Sequence, residues 1–336
     1  MFIVITILST TNVYAKVYKV RDIQIIEPYD KNFKKNIIID KAFISAFEIL
    51  LKRIVTSEDF KKVLTKKSDS IKPMIDSFLI VDEKFSNDNY MAMFEVNFDK
   101  NKVLQYINSK KVISSIPKES MIFFYPVLIN INKDELYMFD ENYFYKEWNV
   151  NKKPTYLLNY NLPSEDIEDF NIIKKNISNI ENFKFEQVLL KYKKSDYILA
   201  IFFTNGKEFK VLSKISYNDK MTIIKSEFEN YKNKQKIIFD LKKIYENEWK
   251  KQNQINTSIK LSLTISLKSK DLNLINKFES ELQKSELVYN YKIHRINSEN
   301  TIYKIVYHGT PDQFIENLEI QNFQVDISQE IWKVSL

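Results

Sequence analysis

Two glycines in 336 residues constrain this chain more than any motif it contains. Ordinary usage is about 7%. Glycine alone enters the φ > 0 region and admits close backbone approach without steric cost. Phosphate-cradling loops, dinucleotide fingerprints and nucleophile elbows each need several glycines at fixed spacing. Gly206 and Gly309 stand far apart, so nucleotide-binding and α/β-hydrolase activities are excluded as classes.

The chain has no cysteine, which removes disulfides, zinc ribbons, iron–sulfur sites and thiol catalysis. Its two histidines, His294 and His308, are too few for a multi-histidine metal site. With 44% hydrophobic and 14% aromatic residues the sequence reads as packed and globular, and its length favours two or three domains. The net charge of +7 comes from lysines spread over the whole chain, which reads as a solvated surface. Weak attraction to anionic lipid or another polyanion is the second reading.

Tyr156–Phe203 organises the middle of the sequence. An apolar run, Tyr156–Tyr160, stops at the acidic helix start Leu162-Pro163-Ser164-Glu165-Asp166. Two amphipathic segments follow, then the fully apolar Tyr197–Phe203. Strand, helices and buried strand predict a right-handed crossover in an α/β sheet.

Residues 1–15 read as a signal peptide. Phe2–Leu8 is apolar, Val13-Tyr14-Ala15 is a small-x-small site, and cleavage is predicted after Ala15. The apolar run is too short to span a bilayer, which needs about 20 residues. A soluble periplasmic protein is therefore expected.

Residues 16–116 predict a first module of order β-α-α-α-β-β-α. Its main helix runs from Asn36 to Val55, its hairpin joins Phe78–Phe85 to Tyr90–Phe98, and Asp99 caps a last helix. Residues 117–250 predict a central α/β domain. Met121–Ile131 is a buried strand whose edge or end is marked by Pro126, and Tyr137–Trp148 reads as helical. Asn205-Gly206 signals a hairpin. A long helix is expected over Ser226–Lys251, with Phe228, Tyr231, Ile238, Leu241, Tyr245 and Trp249 on one face and a Lys- and Glu-rich opposite face. Residues 257–336 predict β-α-β-β-α-β, the ferredoxin-like split βαβ. Thr310-Pro311-Asp312-Gln313 starts its second helix, with Gly309 supplying the tight turn before it. The fold class is thus α/β and α+β, a central domain flanked by two ferredoxin-like modules.

Short motifs in fixed order resemble a proteobacterial envelope family known only as domain of unknown function 2066. They are Tyr18-Lys19-Val20; Ala42 and Ala46 with Leu50-Leu51-Lys52-Arg53; and Phe94–Asp99 with Val103 and Leu104. They continue with Tyr125-Pro126-Val127-Leu128; Leu162–Asp169; Lys191-Tyr192 with Asp196 and Ile198-Leu199; and Tyr307-His308-Gly309 through Ile331–Val334. Tyr125 stands where the family pattern has arginine. The resemblance implies export and a fold of this type, and no activity.

Glu165, Asp166, Glu168 and Asp169 form the one dense acidic cluster, a candidate divalent-cation or acid–base site. Acids that suit a helix N-terminus are the preferred reading. His308 and His294 have no partner placed by sequence to complete a catalytic set. Phe123-Phe124-Tyr125 and Tyr143-Phe144-Tyr145 with Trp148 are candidate stacking platforms for a sugar or base, with aromatic core preferred. No catalytic, cofactor-binding or metal-binding residue is assigned. The expectation is a non-enzymatic, cofactor-free envelope protein that binds another envelope component. The alternatives are a polyanion-binding protein and a hydrolase using Glu165–Asp169.

Overall fold

The structure is a computed structural model that describes residues 17–336, apart from 32, 87, 152–154, 193–195, 230–232, 257–258, 269–270 and 298. The predicted signal segment lies outside the described residues. Three multi-stranded sheets and ten α-helices make a mixed α+β protein. It divides into two compact units, one of residues up to Ile116 together with Asn253–Leu336, the other Pro117–Gln252.

The first unit begins with β1 (Val17–Pro28), α1 (Lys35–Ile54), the single-turn helices α2 (Phe60–Val63) and α3 (Ser68–Ile71), β2 (Ile75–Ser86), β3 (Asn89–Asp99) and α4 (Lys100–Ser109). The sheet order is β1-β3-β2, antiparallel throughout. Strict alternation in β3 buries Tyr90, Ala92, Phe94, Val96 and Phe98 on one face. Against them α1 lays Ala42, Ala46, Phe47, Leu50, Leu51 and Ile54. Each large apolar side chain buried this way contributes about 1.5–3 kcal/mol. Asp99 caps α4 by accepting from the amides of Asn101 and Lys102. The first hairpin strand, expected from Phe78, starts earlier: the chain leaves the helical region at Met74, and Ile75 already pairs with Phe98.

The central unit contains β4 (Ser120–Asn130), β5 (Glu135–Tyr137), α5 (Tyr143–Glu147), β6 (Leu158–Asn161), α6 (Ile167–Lys175), α7 (Glu186–Leu189), β7 (Tyr197–Thr204), β8 (Phe209–Tyr217), β9 (Lys220–Phe228) and α8 (Lys234–Gln252). The sheet order is β5-β4-β7-β8-β9, with β6 parallel to the start of β4 on the flank that β5 occupies further along. β6 and β7 are therefore parallel with β4 between them. Ile198–Phe202 is buried on both faces, as the apolar run of β7 demands.

Pro126 sits in the middle of β4 rather than at its end. It occupies the gap between β6 and β5, where no strand needs its missing amide proton, and its carbonyl accepts from Asn142 Nδ2 at 3.1 Å. Two helix expectations are corrected. Tyr137 ends β5, so the aromatic stretch is helical only in a 3-10 turn, Phe139–Glu141, and in α5, Tyr143–Glu147. Ser226–Phe228 closes β9 through Phe209↔Phe228, and the long helix begins at Lys234. Sheet pairing overrides helical spacing in both places.

The first unit is completed by β10 (Leu261–Lys268), α9 (Leu272–Lys284), β11 (Val288–Ile296), β12 (Asn300–Tyr307), α10 (Pro311–Glu319), β13 (Gln324–Asp326) and β14 (Trp332–Ser335). The order is β11-β12-β10-β14-β13, with β10–β14 parallel and the other pairs antiparallel. β14 thus lies between β10 and the strand that directly follows α10. Both helices pack on one face, where Phe278, Leu282, Phe314 and Leu318 meet Ile265, Leu267, Tyr303 and Ile305.

Thr310 and Gln313 form a complete capping box with Pro311 at the helix start. Gly309 serves space rather than a left-handed turn: an added Cβ would lie 2.5 Å from Tyr307 Cε1 and 2.8 Å from Gln313 Oε1. Thr310→Ala should cost about 1 kcal/mol, read as a lower urea midpoint. An unchanged midpoint would mean that packing alone holds α10. With glycine so scarce, the left-handed backbone positions fall mainly to Asp22, Asp88, Asp134, Asn218, Asp219 and Asn322, whose short polar side chains tolerate that region.

Candidate functional site

The acidic segment opens α6. Asp166 is its N-cap and accepts from the amides of Glu168 at 2.8 Å and Asp169 at 3.2 Å. One turn on, Asp169 points into the unit and is 1% exposed. Its Oδ2 accepts from Tyr125 Oη at 3.0 Å, out of β4, and from Tyr192 Oη at 2.7 Å, out of the turn after α7. Lys191 Nζ pairs with its other oxygen and with Asp166, over the Tyr192 ring. The bond from Lys191 and those from its own helix amides hold the Asp166 carboxyl below the usual range. Burial, then the Asp169 charge, pushes the Tyr125 hydroxyl far above its ordinary value, and Tyr192 rises for the same reasons. Burial alone would lower the Lys191 ammonium, but its bonds to Asp166 and Asp169 raise it.

Three stretches far apart in the sequence therefore meet at one carboxylate. Chemically, this Asp169 is a fixed acceptor with its oxygens occupied, and it ties α6 and the Lys191-Tyr192 turn to β4. Glu165 and Glu168 stay at the surface, so the four acids do not converge. Among the described residues no group of three or more His, Asp or Glu side chains is placed to hold a metal ion.

His308 is buried with Nδ1 2.9 Å from the Ile259 carbonyl, to which it donates, and its ring stands edge-on to Tyr289. Burial first, helped by Lys260 and Lys100, lowers its pKa and keeps the ring neutral. His294 is exposed at a bulge in β11. The aromatic clusters are interior: Phe124 stacks on Trp148 at 3.8 Å and Phe144 on Phe202 at 3.7 Å.

Sequence reasoning missed three charged residues on the inner side of α8. Lys242, Glu246 and Lys250 are all buried at four-residue spacing, a pattern that reads as a solvated face. Lys242, 4% exposed, donates to the carbonyls of Trp148 at 2.5 Å and Asn151 at 3.2 Å, between the rings of Trp148 and Tyr160. Burial pulls its ammonium down to about 8. Glu246 Oε1 accepts from the amides of Leu157 at 2.8 Å and Leu158 at 2.6 Å, and burial raises its carboxyl. These side chains do the work of missing backbone: Lys242 caps α5 and Glu246 stands in for a strand beside β6. The signal that would find them is a short strand with no second neighbour.

The C-terminal sheet offers a different surface. On its face away from α9 and α10, Ser262, Asn290, Lys292, Arg295, Lys304 and Lys333 are exposed. No helix among the described residues is long and apolar enough to cross a membrane. A comparison with protein-family models finds no family that matches the chain, and no curated protein matches it.

Proposed function

We propose that this chain is an exported, non-enzymatic protein of the cell envelope that works by binding another envelope component. The observation that carries the reading is the exposed polar face of the C-terminal sheet, which spans several strands on the side away from the helix-packed core. The element order β10-α9-β11-β12-α10-β13 and the placing of β12 between β11 and β10 match the first part of the split βαβ scheme and support a ferredoxin-like origin, while β14, parallel to β10, takes the place that the scheme gives to an antiparallel fourth strand. Export is supported from two sides. Cleavage after Ala15 would keep every described pair of the β1 ladder, from Val17↔Asp99 to Pro28↔Asn89. The ordered motifs that resemble the envelope family point the same way. The hydrolase alternative weakens because the buried member of its acidic set is bonded internally at both oxygens.

The test is the intact mass of the protein from fractionated Gram-negative cells. A periplasmic species beginning at Lys16 is the expected result. A cytoplasmic species beginning at Met1 would overturn the reading.

A further inference from the structure

On that same face Lys292 of β11 and Lys304 of β12 stand directly opposite each other across an antiparallel pair. Like charges directly opposite are destabilising. Elsewhere this chain avoids such pairs on sheet faces. Lys19 and Arg21 of β1 meet Glu95 at 2.9 and 3.1 Å, and Lys210 faces Glu227 across β8 and β9 at 3.4 Å. At Lys292 and Lys304 no acid answers: among the described residues neither is ion-paired. The next cross-strand row, Arg295–Ile302–Ser266–Lys333, adds two more cations about 14 Å apart, three strand spacings. On the paired strands the acid of this face is Asp326, at the far edge opposite Lys333.

Neutral donors fill the places between the cations. Thr264 is the other neighbour of Lys304, and Ser262 and Asn290 flank Val306. Ser262, Thr264, Asn290, Lys292 and Lys304 line a shallow cavity of about 450 Å³. Tyr291, paired with Ile305 on the packed side of the sheet, also lines this cavity, while the paired positions of the open face itself hold no aromatic side chain. Cations at strand spacing suit the repeated acid groups of a linear polymer, and hydroxyl and amide groups between them suit sugar hydroxyls.

We infer that this face binds an acidic polysaccharide, with Lys292 and Lys304 gripping one acid group between them. The inference rests on the envelope-binding reading and names the class of partner. Binding should release counterions, as at any linear polyanion, so affinity falls steeply with salt.

The experiment uses the purified full chain from Lys16 and a fluorescent polygalacturonate oligomer, titrated over a range of sodium chloride. Lys292→Thr and Lys304→Thr are each expected to weaken binding about five- to tenfold and to lower the log–log salt slope by about one. Each variant is expected to melt no lower than the parent, since removing either lysine relieves the repulsion. The inference is overturned by absence of binding at about 50 mM salt. It is also overturned by variants that bind like the parent, or by tighter binding of single-stranded DNA of equal charge. A periplasmic protein that ignores the oligomer would leave the envelope reading standing and remove this inference alone. A cytoplasmic, unprocessed protein that binds it would do the reverse.

Discussion

Replacing Asp169 with alanine should destabilise the Pro117–Gln252 unit by about 3–5 kcal/mol, the range for breaking a buried charge pair by removing one partner. The substitution strands two tyrosine hydroxyls and a lysine that now share one carboxylate. Asp169→Asn keeps the shape and one carbonyl acceptor but loses the charge, so it should cost about 1–3 kcal/mol. Glu165→Gln and Glu168→Gln, at the surface, should stay within about 0.5 kcal/mol. Urea unfolding of the full chain, with hydrogen exchange reporting on β4, α6 and β7, measures all four. Equal and small effects throughout would mean that Asp169 does not hold this layer together. Acid acts on the same cluster. The Asp166 carboxyl is depressed in the folded state, so its contribution is complete above the ordinary carboxylate range and is lost as pH falls through the lowered value.

Lys242 sets a second pH response, at alkaline pH. Its folded-state value is about 8, against roughly 10.4 for an unfolded lysine. Between those values the unfolded chain binds the extra proton, so stability from this site rises with pH. Below pH 8 the folded protein must bury an ammonium with only two carbonyls and two aromatic rings for company. Comparing the parent with Lys242→Met from about pH 7.5 to 9.5 should show the parent gaining about 1–2 kcal/mol on the variant. Taking the difference cancels the tyrosines, which titrate in both proteins. A difference that stays flat across that interval would place the Lys242 pKa at its ordinary value. The variant should also lie lower at every pH, because it leaves the Trp148 and Asn151 carbonyls without a donor.

What was legible in the sequence is local. The helix caps at Asp99 and Thr310 depend on a few consecutive residues, and each forms as written; α6 is capped by Asp166 and not by Ser164 of the acidic start. The alternation of β3 and the apolar run of β7 also state their own burial. Errors arose where two periods overlap. Met221–Phe228 is an edge strand with every second residue half-buried, and its last aromatic falls in phase with the helix that follows, so the helix was drawn too early. The Asp169 cluster was legible as three separate motifs but not as one place. Tyr125 and Tyr192 lie 44 and 23 residues from Asp169, and only the pairing of β4 with β6 and β7 brings their elements together. Lys242 and Glu246 were illegible for a sharper reason. A Lys–Glu–Lys stripe looks solvated unless one knows that the amides of a neighbouring strand lack a partner.

The first unit is assembled from both ends of the chain, with the whole central unit spliced between. Ile116 donates to the Asn253 carbonyl and Ile255 to that of Ser114, while Lys100 reaches Glu286, 186 positions further along. Timing follows from this layout. A chain that emerges N-terminus first delivers β1 to α4 early, but their C-terminal complement arrives last. The continuous Pro117–Gln252 stretch has all its partners to hand sooner, so its closure is the early kinetic event and that of the split unit the late one. Until the turn between α9 and β11 has emerged, α4 would hold Lys100 without the Glu286 carboxylate. That interval is when a chaperone would have most to hold.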